Sequence, residues 1–388
     1  MQDRGLPKEA LLFLNFLETV VGRIMSDFDD MNVVSTMEET DRKCPQCGGV
    51  MDFDPKTGGL HCPYCDYTEA IPVDNSAPTT AQELDFNSVE LVENCQWGAE
   101  KKTIICKACG AESVYDALEI SAVCPFCGSN QVTEANDKKT LAPGGVVPFK
   151  LSEMDAGARF KSWIGGKFFC PKAAKETAKG KNFKGVYLPY WTFDADTHSN
   201  YTGQYGIDRK VKNSEGQEKT VTDWYNTKGT YDKFYDDELI CATTNQNMGM
   251  LAGIEPFNTA ENVAYKPEYI AGYAAERYAV GIKDAWERAK QSIVNKVRSN
   301  IRSKIRSDHH ADQSKIDTLD ISYNNITYKY LLLPVWIANF KYNGKVYNFM
   351  VNGQTGKVSG NTPVSVPKVI ITIVAVIVII ALIAHFFT

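Results

Sequence analysis

Eight cysteines carry the most specific chemistry in this chain. Cys44-Pro45-Gln46-Cys47 is followed after fourteen residues by Cys62-Pro63-Tyr64-Cys65. Cys106-Lys107-Ala108-Cys109 is followed, after the same interval, by Cys124-Pro125-Phe126-Cys127. Two CxxC knuckles at the ends of two hairpins supply four soft donors, the number a tetrahedral Zn²⁺ takes. Gly48 and Gly110 follow their knuckles directly, where a tight turn needs a backbone conformation that glycine tolerates. The spacing predicts two structural zinc ions, each held by four thiolates. A redox dithiol would come as a single CxxC near a βαβ pattern, and four knuckles in two matched pairs do not fit it. A four-cysteine site leaves no open position for water, so it holds structure and does not catalyse. His61 adjoins Cys62, but four cysteines already fill the site. Cys95, Cys170 and Cys241 stand alone and read as small buried hydrophobes.

The elements that would position these sites form an α+β chain. Residues 37–72 and 101–135 read as tandem zinc ribbons, separated by a polar linker, 73–100, and followed by a second linker, 136–145. Residues 1–36 read as an amphipathic extension, helical over about 7–27, with no signal-peptide pattern. Residues 146–363 read as an α+β region of antiparallel meanders. Its first helical stretch, 153–180, is interrupted at Gly165-Gly166 and Pro171. An aromatic-rich meander over 184–245 follows. A helix over 268–306 carries Ile282, Trp286, Ala289, Ile293, Val297, Ile301 and Ile305 as one stripe and a strongly basic opposite face. Such a helix packs on a core or lies on an anionic membrane. Strand 335–342, the Asn343-Gly344 turn and strand 345–351 close the region. Leu188-Pro189-Tyr190-Trp191 and Leu333-Pro334-Val335-Trp336 match and suggest an internal duplication. Residues 364–388 contain an apolar run, 369–387, long enough to cross the hydrocarbon core as one helix.

Charge is polarised along the chain. Residues 38–137 hold six bases and eighteen acids, a net of −12, whereas residues 138–388 carry +10. Phosphate neutralisation drives nucleic-acid binding, so an acidic ribbon module argues against it. The pairs Gly166-Lys167, Gly180-Lys181, Gly344-Lys345 and Gly356-Lys357 lack both the following Ser or Thr and the upstream Gly of a P-loop, which excludes that kind of ATPase motor. HExxH and GxSxG are also absent, and Asp236-Asp237 reads as a solvated loop. Lys357 and Lys368 precede the apolar run and no base follows it. The positive-inside rule therefore predicts a single-pass tail anchor with the large N-terminal part in the cytoplasm.

The stretches CPQCGG, HCPYCDY, CKACGAE, CPFCGS, GVYLPYWTFDADTHSNYTGQYG and LLLPVWIANFKYNGKVYNFMVNGQTGKVSGNTP resemble those of the bacterial TFIIB-type zinc-ribbon, tail-anchored membrane protein family (YdjG-like). The resemblance spans about residues 37–388. It implies a zinc-binding, membrane-anchored protein without an established catalytic activity, with PspA-like or SPFH-domain proteins as partners. The expectation is thus a non-enzymatic adaptor that recruits proteins to the cytoplasmic face of the membrane and meets lipid through 369–387. The alternative is a membrane-tethered nucleic-acid-binding ribbon protein.

Overall fold

The structure, a computed structural model, describes residues 43–72, 76–91, 101–107, 112–116, 132–134, 141–178, 183–212, 217–244 and 246–387. The extension 1–36 lies outside the described residues. Strands β1 (Asp52–Asp54), β2 (Gly59–His61) and β3 (Thr68–Glu69) form a small antiparallel sheet, with Phe53 opposite Leu60. β4 (Leu84–Asp85) runs into a 3-10 turn, Phe86–Leu91. In the second cysteine segment, β5 (Lys101–Cys106) pairs with both β6 (Glu112–Asp116) and β7 (Val132–Glu134). Then come β8 (Gly145–Val146), α1 (Glu153–Gly165), α2 (Lys172–Ala178), β9 (Lys184–Lys212), β10 (Glu218–Cys241) and α3 (Met248–Ile254). β11 (Val263–Ala264), β12 (Ala274–Glu276), α4 (Ile282–Asp308), β13 (Gln313–Tyr342), β14 (Lys345–Asn352), β15 (Val358–Gly360) and α5 (Val366–Phe387) complete the order. The α+β class with antiparallel meanders is thus observed.

The main sheet runs β11-β8-β13-β9-β12-β6-β5-β7, with β10 on β9 and β14 on β13. Its centre is the antiparallel pair β9–β13. Residues 186–195 of β9 are buried without interruption, as a strand covered on both faces must be. Tyr187, Trp191 and Phe193 face the larger core, while Val186, Leu188 and Tyr190 face a second cluster with Met250, Leu251 and Ile254 of α3. Beyond Ala195 the pattern changes to alternation. Thr197, Ser199 and Tyr201 are buried, whereas Asp196, His198, Asn200 and Thr202 are exposed. One face of this long ribbon is therefore covered and the other solvated. The cover is α4, whose Trp286 meets Phe193 at a ring distance of 5.3 Å. Its stripe from Ala285 through Ile305 is fully enclosed, so the apolar face is spent on the sheet and only the basic face is outward.

Helix α4 begins later than its periodicity suggests. The segment expected to be helical from 268 instead forms a 3-10 turn, Pro267–Ile270, and then β12. Gly272 interrupts it at φ +77. Backbone pairing of β12 with β6 and β9 takes precedence over local helix preference there.

The two halves of the main sheet share one βαββ plan. Leu188 lies opposite Leu333 in the β9–β13 register. β12 runs parallel to β9 at Val186 and Tyr187, and β8 runs parallel to β13 at Leu331 and Leu332. Trp191 Nε1 donates to the Val280 carbonyl at 2.9 Å, and Trp336 Nε1 to the Leu151 carbonyl at 3.0 Å. α4 and α1 each start two residues after those carbonyls. Even the proline carbonyls match: Pro189 accepts from Ala242 N–H and Pro334 from Gly353 N–H, both at 2.9 Å. Truncating Leu333, fully enclosed at this central pair, is expected to cost about 2–5 kcal/mol. Asp320→Ala, on the solvated face, is expected to stay within about 0.5 kcal/mol. Urea unfolding of the two variants in detergent checks the difference.

Candidate metal centre

The first cysteine set is built from two knuckles with one backbone design. Cys44 N–H donates to the Gly49 carbonyl at 2.7 Å, and Gly48 N–H returns to the Cys44 carbonyl at 2.8 Å. Cys62 N–H donates to the Tyr67 carbonyl at 2.8 Å, and Asp66 N–H to the Cys62 carbonyl at 3.0 Å. The fourth residue after each leading cysteine is left-handed: Gly48 at φ +73 and Asp66 at φ +61. Glycine makes this position legible in the first knuckle. In the second, an aspartate fills it, one of the residues that tolerate this conformation. Asp66 lies 3.4 Å from His61 Nε2, so His61 is paired outside the cysteine cluster.

The four sulfurs converge. Cys44 Sγ is 3.4 Å from Cys65 Sγ, and Cys47 Sγ is 3.5 Å from Cys62 Sγ. All four lie within 4.8 Å of one another. A regular tetrahedron with Zn–S bonds of about 2.3 Å places its sulfurs about 3.8 Å apart. Donor type, number and spacing therefore fit one metal ion such as zinc. Ionisation points the same way. Desolvation pushes the Cys44 thiol up, but the Cys47 and Gln46 amides outweigh it and bring the group down to about 7. At Cys65 the Tyr67 amide pulls downward, yet the Cys44 sulfur and desolvation push the thiol up to about 12. A bound cation would favour the thiolate at both, and holding it would be structural, with no ligand position left for substrate.

This centre is stitched to the main sheet through a segment that the cysteine pattern does not reveal. Phe53 N–H donates to the Ala271 carbonyl at 3.1 Å, and Tyr273 Oη donates to the Phe53 carbonyl at 3.4 Å. Phe53 meets Tyr269 edge-on at 5.8 Å, and Lys266 Nζ bonds the Pro72 carbonyl. A Cβ on Gly272 would stand 2.7 Å from the Asp52 carboxyl carbon, so the close approach needs glycine as well as its positive φ. Cys44, Met51, Phe53, Leu60 and Cys62 join the same core as Trp191 and Trp286.

The second cysteine set is only partly described. Cys106 ends β5, while Cys109, Cys124 and Cys127 lie outside the described residues, as does Cys95. Cys170 and Cys241 are buried, and burial pushes both thiols up, Cys241 to about 12, so neither has the character of a reactive thiolate.

Asp236-Asp237 is not the open solvated loop expected of it. The two residues form a bulge in β10 beside buried Asp194, facing a second bulge in β13 across β9. Asp237 N–H donates to Asp194 Oδ1 at 2.6 Å, and Thr259 Oγ1 to Asp237 Oδ2 at 2.6 Å. Lys329 Nζ sits 2.8 Å from Asp237 Oδ1 and 3.1 Å from Glu83 Oε1. An internal ammonium therefore already balances part of this acidic cluster. Burial nevertheless raises the Asp194 carboxyl to about 6.

Cys62→Ser is expected to lose about one metal ion per chain on elemental analysis, with melting of residues 43–72 seen by hydrogen exchange. For Asp194 the folded carboxyl holds its proton more tightly than the unfolded one. The folded state therefore binds more protons between the ordinary Asp range and about 6, and stability falls as pH rises across that window. Asp194→Asn is expected to flatten this slope in urea melts taken between about pH 4 and pH 7.

Over 334 residues, covering 84% of this chain and 91% of the relative, the sequence is 28% identical to the uncharacterized protein YdjG of Bacillus subtilis (strain 168). No family model matches the chain. No solved structure matches it.

Proposed function

We propose that this protein is a non-enzymatic adaptor, held at the membrane by α5, whose zinc ribbons and adjoining sheet recruit protein partners. The observation that carries the reading is the closed four-cysteine cluster. A centre whose ligands are all cysteine shapes a surface and offers no coordination site for substrate. Supporting it, α5 is long and apolar enough to cross a membrane, and none of its candidate span is buried in the protein. Lys357 lies before this helix and Lys368 in its first turn, ahead of the apolar run, and bases on that side favour a cytoplasmic body. The acidic segment 38–137 is suited to docking against basic protein surfaces and unsuited to phosphate. In this reading Cys106, Cys109, Cys124 and Cys127 hold a second zinc ion.

The test is a mild-detergent pull-down of the full-length chain beside a variant with those four cysteines changed to serine, with zinc quantified in both. The expected outcome is a discrete protein partner that is lost together with about one zinc per chain. Nuclease-sensitive nucleic acid in place of a protein partner would overturn the reading in favour of a tethered nucleic-acid binder. An unchanged partner list would move the docking surface to the sheet.

A further inference from the structure

The root of α5 is tied to a loop that no sequence motif singled out. Between α1 and α2, three consecutive carbonyls accept donors from the start of the apolar helix. Lys368 Nζ donates to the Phe168 carbonyl at 2.8 Å and to the Cys170 carbonyl at 2.9 Å. Ser365 N–H donates to the Phe169 carbonyl at 2.9 Å. The first uninterrupted apolar residue of α5 is Val369, one position beyond Lys368. The loop is therefore held level with the start of the candidate span.

Its side chains are unusual for a soluble surface. Phe168 is 66% exposed and Phe169 is 41% exposed, while Cys170 below them is buried. The two rings meet each other edge-on at 5.2 Å, and the Lys368 ammonium lies 5.7 Å from the Phe168 ring. Residues 156–175, which include the loop, contain five bases and no Asp or Glu, with Asp155 and Glu176 flanking the stretch.

Exposed aromatic rings beside a run of bases, at the level where a helix becomes continuously apolar, fit one kind of surface. That surface is the interface of a bilayer with anionic headgroups, where apolar side chains enter and lysines remain among phosphates. We propose that the loop 167–172 is a second membrane contact, seating Phe168 and Phe169 at the headgroup–acyl boundary and fixing the body against the membrane. A single helix leaves the attached body free to swivel, whereas a helix plus a rigidly attached loop defines which face looks away from the bilayer. Lys368 is a positioning residue in this arrangement, because both of its carbonyl contacts hold the loop to the helix. The proposal rests on the reading of α5 as a membrane anchor.

The experiment reconstitutes the full-length chain in phosphatidylcholine vesicles, with and without phosphatidylglycerol, that carry a diazirine-bearing phospholipid. Adduct positions are then mapped by mass spectrometry. The expected result is adducts on both 163–172 and α5, with loop adducts enriched by phosphatidylglycerol. Phe168→Ser with Phe169→Ser is expected to lower loop adducts by about tenfold and leave α5 adducts unchanged. Lys368→Met, which leaves the rings intact but removes two of the loop's three ties to the helix, is expected to lower them as well. Adducts on α5 alone would overturn the second contact while leaving the anchor in place. Absence of adducts on α5 would overturn the anchor reading itself. Equal loop labelling without phosphatidylglycerol would overturn the preference for anionic lipid.

Discussion

The pairing of β9 with β13 is the constraint on which everything else depends. Each strand is close to thirty residues long, 29 and 30, and at about 3.3 Å per residue can reach about 95 Å. An isolated ribbon of that length would be unstable, because a two-stranded pair buries too little. Its central portion is covered on both faces, which pins the register: a slip by one residue would move Leu188 and Leu333 from the α3 side to the other face. Farther out, α4 covers one face, and the alternation of buried Tyr201 with exposed Asn200 and Thr202 follows directly.

The candidate metal centre draws on the same frame. Three short strands of two or three residues cannot enclose a core of their own. The centre solves this in two ways. A cation can neutralise converging thiolates, and Met51 and Phe53 extend into the core of the main sheet. Because metal affinity in such sites is folding free energy, occupancy and the seating of Phe53 on residues 269–273 are expected to be linked. The Gly272–Asp52 approach shows how little clearance that seating leaves.

Electrostatic organisation follows the layers. The basic face of α4 is outward while its apolar stripe is enclosed by the sheet, and its links to acids include Lys290 with Glu287, Lys296 with Glu238 and Lys304 with Asp308. The acidic cluster around Asp194 takes its cation from within, through Lys329 on β13. Both bulges at this point re-aim side chains that a regular pleat would send outward, which is how one lysine comes to serve carboxylates from two separate segments.

The sequence by itself determined the features that are encoded locally. Cysteine spacing specified the first four-sulfur cluster, because ligand geometry restricts how far apart two knuckles can stand. Asn343-Gly344 specified the β13–β14 turn, both residues adopting the positive φ that this turn requires. The 369–387 run specified an apolar helix, and the stripe of α4 specified its buried face. Residues 153–180 broke where Gly165-Gly166 and Pro171 said they would. What only the tertiary structure decided is non-local. The outer part of β9 is polar and contains Gly203 and Gly206, and how far the strand runs is set by its pairing with β10 and β13. Residues 268–281 have helical spacing but yield to strand pairing with β6 and β9. Asp66 adopts the left-handed conformation that Gly48 advertises, and Asp236-Asp237 forms a strand bulge in which Asp236 stays exposed and Asp237 is half-buried. For the strands and the bulge, periodicity records which side of a segment is apolar, but the partner that covers that side, and the backbone groups that pair along its edge, belong to other elements far along the chain. Asp66 instead takes its conformation from the knuckle, through the bond of its N–H to the Cys62 carbonyl.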